Sequence, residues 1–214
     1  MEQLKCKVCG MTDPKNVEEV AKHQPDYLGF IFYTRSVRYV GKKPDAALFS
    51  AVPPGINKTA VFVNEYLERM IDLTGKHGIN TVQLHGMESP EVCKALRLHG
   101  KTVIKVFPGD QVGNSKLLKD YEGVADFFLF DTPVRSHGGS GRKFDWDKLD
   151  QCCSRKKYFL SGGISPEDAS HVRKLDKKGL YAVDINSRFE TEPGIKDPAL
   201  VGNFIKTLRN GQID

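Results

Sequence analysis

The stretch LSGGISPE (160–167) reads as the end of a β-strand, a two-glycine turn and the start of a helix. Gly162 and Gly163 permit positive φ and close approach to a ligand, while Ser165-Pro166 sets a side-chain acceptor at an N-cap beside a proline whose missing N–H costs nothing at the first helical position. Asp13-Pro14, Ser89-Pro90 and Asp197-Pro198 repeat that start signal. Between Glu65 and His77, Leu67, Met70, Ile71 and Thr74 share one helical face, as do Leu200, Val201, Phe204, Ile205 and Leu208 after Asp197.

Working outward, short β-rich runs end near Cys9, Phe32, Val63, Leu84, Val106, Phe130, Ser161 and Ile185. Successive ends are spaced as one strand, one helix and two short loops require. Alternating strands and helices imply a parallel sheet, and eight units in 214 residues predict an α/β protein, a single (β/α)8 TIM barrel over residues 1–214. An open doubly wound sheet is the alternative; it normally carries a Gly-rich loop after the first strand, where KVCGMT (7–12) has a single Gly.

Composition narrows the function classes. The net charge of +5 is mildly basic, and the basic residues are scattered without interleaved stacking aromatics, so no nucleic-acid partner is expected. The longest apolar run lies around Leu28 to Phe32, far below the roughly 18 residues a membrane helix needs. Glu2, Lys5 and Lys7 interrupt any apolar core of an export signal, which gives a cytoplasmic expectation without disulfides. Cys6 and Cys9 form a C-x-x-C, but zinc would need two more ligands at matching spacing, and Cys152-Cys153 is an adjacent pair. Strand alternation also sets positions 6 and 9 on opposite faces.

In a barrel of this kind chemistry sits where strands end. Gly162 and Gly163, with Ser187 and Arg188 after the eighth strand, suit a phosphate site or else a tight turn. Asp131 follows the apolar FFLF, where partial desolvation favours a general acid and the plain alternative is a turn or an N-cap. Cys9 shares parity with Lys5 and Lys7, so it points inward; Lys7 is then a cation able to lower the thiol pKa, against the alternative of an inert buried Cys. Arg38 reads as a surface residue or a carboxylate clamp, and His85 as a loop residue or a ligand with no second His at metal spacing.

Read in order, KVCGMT (7–12), LGFIFY with SVRYV (28–40), AVFVN (60–64), VQLHG (82–86), VIKVF (103–107), LFDT (129–132), GGSGRKFDW (138–146), LSGGISPE (160–167) and DINSRFE with PGIKD (184–197) resemble phosphoribosylanthranilate isomerase of tryptophan biosynthesis. The resemblance spans essentially the whole chain. It implies an Amadori rearrangement of N-(5′-phosphoribosyl)anthranilate without metal or cofactor, on a phosphorylated small molecule, by a monomer or homodimer. It implies Cys9 as general base, Asp131 as general acid and Arg38 as the anthranilate-side contact. Gln83 and His85 line that pocket, Gly162, Gly163 and Ser187 cradle phosphate, Asn186 adjoins them, and Asp184 lies beside the ribose. Two departures stand out: SVR lacks the Pro that many members place before the Arg, and Asn186-Ser187-Arg188 replaces the usual Ser-Ser-Gly, which predicts a restricted loop. Indole-glycerol-phosphate synthase, sugar-phosphate epimerases and a non-catalytic barrel are the alternatives. The first carries an N-terminal extension, the second need clustered metal ligands, and the third would lack the acid or the base.

Overall fold

The computed structural model describes residues 3–132, 145–152 and 155–210. Eight parallel strands close into a barrel in chain order: β1 (Lys5–Cys9), β2 (Tyr27–Ile31), β3 (Asn57–Phe62), β4 (Thr81–Leu84), β5 (Thr102–Pro108), β6 (Phe127–Asp131), β7 (Tyr158–Leu160) and β8 (Leu180–Ile185). Every strand end falls within two residues of its expected position. Closure pairs Lys7 with Asp184 across β1 and β8, and Cys9 with Gly29 across β1 and β2.

The helices are α1 (Pro14–Ala21), α2 (Ala46–Ser50), α3 (Leu67–Lys76), α4 (Pro90–Leu98), α5 (Ser115–Glu122), α6 (Ala169–Lys174) and α7 (Pro198–Asn210). Asp13 and Asp197 cap α1 and α7 as their sequences predict, accepting from Asn16 N at 2.7 Å and from Ala199 N at 2.9 Å. Two expected caps differ. Ser89 makes no capping hydrogen bond, although Pro90 still opens α4. At Ser165 the roles reverse, because Asp168 Oδ2 accepts from both Ser165 N and Ser165 Oγ and closes a 3₁₀ turn, Pro166–Asp168, before α6.

Among the described residues the connection from β6 to β7 carries a 3₁₀ turn, Trp146–Gln151, where the strand–helix repeat predicts an α-helix. The buried residues of that turn, Trp146 and Leu149, are three apart, which suits three residues per turn. A short antiparallel hairpin, β9 (Glu190–Glu192) and β10 (Ile195–Lys196), follows β8 and was not announced by sequence periodicity.

Strand alternation divides the core in two. Outward residues such as Cys6, Val8, Phe62 and Phe128 pack under the helices, while Tyr27, Ile104, Val106, Leu129, Phe159 and Ala182 fill the barrel interior. Cys6 and Cys9 therefore lie on opposite faces, and Cys6, Cys9, Cys93 and Cys152 are all free thiols. No helix among the described residues is long and apolar enough to cross a membrane. The interior turns from apolar to charged towards the C-terminal rim, where Lys7 and Asp184 are buried.

Candidate active site

Cys9 ends β1 with 5% of its surface exposed, and Lys7, two residues earlier on the same inward face, is wholly buried. Lys7 Nζ donates to both carboxylate oxygens of Asp184 at 2.9 Å and sits beside the Cys9 thiol. Gly29 makes that convergence possible: a Cβ there would stand 2.8 Å from Cys9 Sγ and 3.2 Å from Lys7 Nζ. The Lys7 and Asp184 groups shift in the same direction. Burial works against the Lys7 ammonium but Asp184 outweighs it, so the lysine is held above its ordinary value. Burial likewise pushes the Asp184 carboxyl up, with the Lys7 ammonium opposing.

The expectation that Lys7 draws the Cys9 thiol below its ordinary value needs correction. Burial is the largest influence and pushes the thiol up; Lys7 and Lys196 pull it down, and Asp184 pushes it up again. The net direction is up, because burial, with Asp184 adding to it, outweighs the pull of the two lysines.

Arg38 lies in the loop after β2 with its side chain 12% exposed, so it is neither a free surface group nor unpaired. It clamps a carboxylate of its own chain: Nε donates to Glu190 Oε1 at 2.8 Å and one terminal nitrogen to Glu190 Oε2 at 2.6 Å. Lys196 Nζ bonds to the same Glu190 and to Asn186 Oδ1 at 2.7 Å. Burial works to raise the Glu190 carboxyl, but Arg38 and Lys196 hold it below its ordinary range. Glu190 and Lys196, in DINSRFE and PGIKD, are functional-site neighbours that carry no local sequence signal of a role.

Across the mouth, β4 and β6 bring together Gln83, His85 and Asp131. Gln83 is buried, with Nε2 3.5 Å from His85 Nδ1, and its Oε1 has no hydrogen-bond partner among the described residues. His85 Nε2 stands 3.4 Å from Asp131 Oδ2, with side-chain exposures of 38% and 24%. Asp131 Oδ1 also accepts from Thr132 N at 2.8 Å. The imidazole thus stands beside the carboxyl, a contact that spacing alone did not indicate.

The turn after β7 has the left-handed backbone its glycines allow, with φ of +91° at Gly162 and +68° at Gly163. A Cβ on Gly162 would run into the Thr132 side chain and lie 2.5 Å from its backbone nitrogen. The backbone N–H groups of this turn open on the C-terminal rim, the place where a barrel of this kind receives an anion. After β8, Asn186 has φ −149° and ψ −102° and leads into a 3₁₀ turn, Ser187–Phe189. Arg188 is not in the left-handed region, so the loop does without the glycine the family places there. The GGSG part of GGSGRKFDW falls within residues 133–144, outside the described residues.

A closed parallel barrel whose C-terminal rim gathers a thiol, carboxyls, an imidazole and two glycine N–H donors belongs with the phosphate-handling (β/α)8 enzymes. A sequence family described as N-(5′-phosphoribosyl)anthranilate (PRA) isomerase matches residues 6–207. Over 211 residues the chain is 39% identical to an N-(5′-phosphoribosyl)anthranilate isomerase of Parabacteroides distasonis, covering 97% of this chain and 95% of the relative. The solved phosphoribosyl anthranilate isomerase of Thermotoga maritima superposes with a TM-score of 0.82 at 30% identity, covering 96% of this chain and 98% of that one. A phosphoribosyl anthranilate isomerase in complex with reduced 1-(o-carboxyphenylamino)-1-deoxyribulose 5-phosphate superposes with a TM-score of 0.80 at 28% identity and the same coverage. The chain belongs to the N-(5′-phosphoribosyl)anthranilate isomerase family.

Proposed function

We propose that the chain, as one barrel domain over residues 1–214, converts N-(5′-phosphoribosyl)anthranilate to 1-(2-carboxyphenylamino)-1-deoxyribulose 5-phosphate, an aldose-to-ketose step of tryptophan biosynthesis. The observation that carries this reading, beside the family match, is the placement of an inward thiol on β1 and a partly exposed carboxyl on β6, three strands apart around the closed barrel.

The chemistry needs both. Ring opening requires a proton on the ribose ring oxygen, because an alkoxide leaves poorly; Asp131 supplies it, and the anilino nitrogen lone pair becomes the C1′ iminium bond. The iminium acidifies the C2′ proton, and the Cys9 thiolate removes it to form the enolamine, which tautomerises to the ketone. Burial favours the neutral thiol, but the iminium brings a positive charge against it and adds to the pull of Lys7 and Lys196. Arg38 receives the anthranilate carboxylate, and Gln83 and His85 border the ring, with the unpartnered Gln83 Oε1 ready to accept a substrate N–H or O–H. Gly162, Gly163 and Ser187 take the phosphate with Asn186 alongside, and Asp184 sits beneath the ribose, tied to Lys7. Mixing the purified protein with freshly made phosphoribosylanthranilate and following the loss of its fluorescence tests the reading. Enzyme-dependent decay is expected, and its absence would overturn it.

A further inference from the structure

The Glu190 carboxylate, with its side chain 5% exposed, is used by none of the roles above, yet it joins the loop after β2 to the β9–β10 hairpin. Its Oε1 accepts from Arg38 Nε at 2.8 Å, from Gly194 N at 3.1 Å and from Lys196 Nζ, and its Oε2 accepts from Arg38 at 2.6 Å. Lys196 is in turn anchored through its backbone, with N donating to Asn16 Oδ1 and O accepting from Asn16 Nδ2, each at 2.8 Å. The β9–β10 hairpin is thereby fixed to α1. At Gly10, next to Cys9, a Cβ would stand 2.6 Å from Arg38 Cδ and 2.8 Å from Asn186 Oδ1, so the arginine stem and the asparagine amide both rest on the backbone beside the thiol.

The donor count gives this arrangement a purpose. A guanidinium has five N–H donors in a rigid fork, and Glu190 engages one edge of it. The remaining donors of Arg38 have no partner among the described residues. A glutamate this close to the place of a substrate carboxylate would repel it, but Lys196 bonds to the same carboxylate, and Arg38, Lys196 and Glu190 together carry one net positive charge.

We propose that Glu190 is a positioning residue of the isomerase site, holding the Arg38 guanidinium by one edge against Gly10 so that its other donors are presented to the anthranilate carboxylate, while Lys196 cancels the charge of Glu190 and orients Asn186. This rests on the proposed function, since it takes the Arg38 ligand from it. A role through Arg38 is visible in a double-mutant cycle as non-additivity.

The cycle pairs Glu190→Gln with Arg38→Met, reading kcat and KM for phosphoribosylanthranilate and confirming the fold of each variant by circular dichroism. Gln offers one acceptor oxygen in place of two and no charge, so the two-oxygen pairing is lost and in the parent chain E190Q raises KM by about tenfold while kcat changes by less than about threefold. In the R38M background the same substitution changes KM by less than about twofold. An unchanged KM in E190Q, or an equal rise in both backgrounds, overturns the proposal. If the Gln variant does not fold, Glu190→Asp, which keeps the charge and shortens the reach, is run through the same cycle with the same two criteria. A parent chain that fails to turn over phosphoribosylanthranilate would overturn the function itself, which separates that failure from an insensitive KM.

Discussion

The two sides of the barrel mouth are built differently. On the side of β8, β1 and β2, Lys7, Asp184, Cys9 and Lys196 are buried and Arg38 and Glu190 largely so, with charge-assisted hydrogen bonds joining Lys7 to Asp184 and Glu190 to both Arg38 and Lys196. On the side of β4 and β6, His85 and Asp131 are partly exposed and meet at 3.4 Å. The difference matches the proposed division of labour. A base acting on a carbon acid benefits from a fixed, water-poor position, whereas an acid that must be reprotonated every cycle benefits from contact with solvent.

The sharpest way to break the contrast is to remove one charge from the buried side. Lys7→Met leaves Asp184 without its partner, and losing one member of a buried ion pair costs about 3–5 kcal/mol. Urea unfolding should show that loss together with a collapse of turnover. On the open side, His85→Ala removes an exposed ring, so stability should change by about 0.5 kcal/mol or less while turnover falls about tenfold. Equal stability losses in the two variants would erase the distinction.

A smaller effect sharpens it. Cys6, Cys9 and Cys93 have an ordinary pKa of 9.0, and burial pushes all three up, Cys93 to about 11. Above pH 9 the unfolded chain therefore binds fewer protons than the folded one, and the stability present below that pH is lost as pH rises. Between pH 8 and pH 10 the loss should approach about 1.4 kcal/mol for Cys6 alone. Denaturant titrations at the two pH values should show the fall, and Cys6→Ala should make it shallower by that amount.

The strand ends and the inward parity of Lys7 and Cys9 were legible in the sequence because alternation and proline-led helix starts are local signals. Asp131, Gly162 and Gly163 were legible as strand-end residues for the same reason. The partners of the buried side were not. Glu190 lies 152 residues from Arg38, and Asp184 lies 177 from Lys7, distances over which no local pattern operates. The direction of the Cys9 shift was missed on the same account, since it depends on burial and on the carboxylate that barrel closure brings to Lys7. At Asn186-Ser187-Arg188 the loop turns as a 3₁₀ segment with no left-handed residue, a shape that the missing glycine permits but that no local pattern specified.

The central claim, a thiol base on one side of the mouth and a carboxylic acid on the other, is tested most directly by the turnover of phosphoribosylanthranilate by Cys9→Ser and Asp131→Asn as purified, folded proteins. Each substitution keeps size and removes one proton-transfer function, so turnover should fall by about 10³-fold in each. Near-parental rates in both variants would contradict the account.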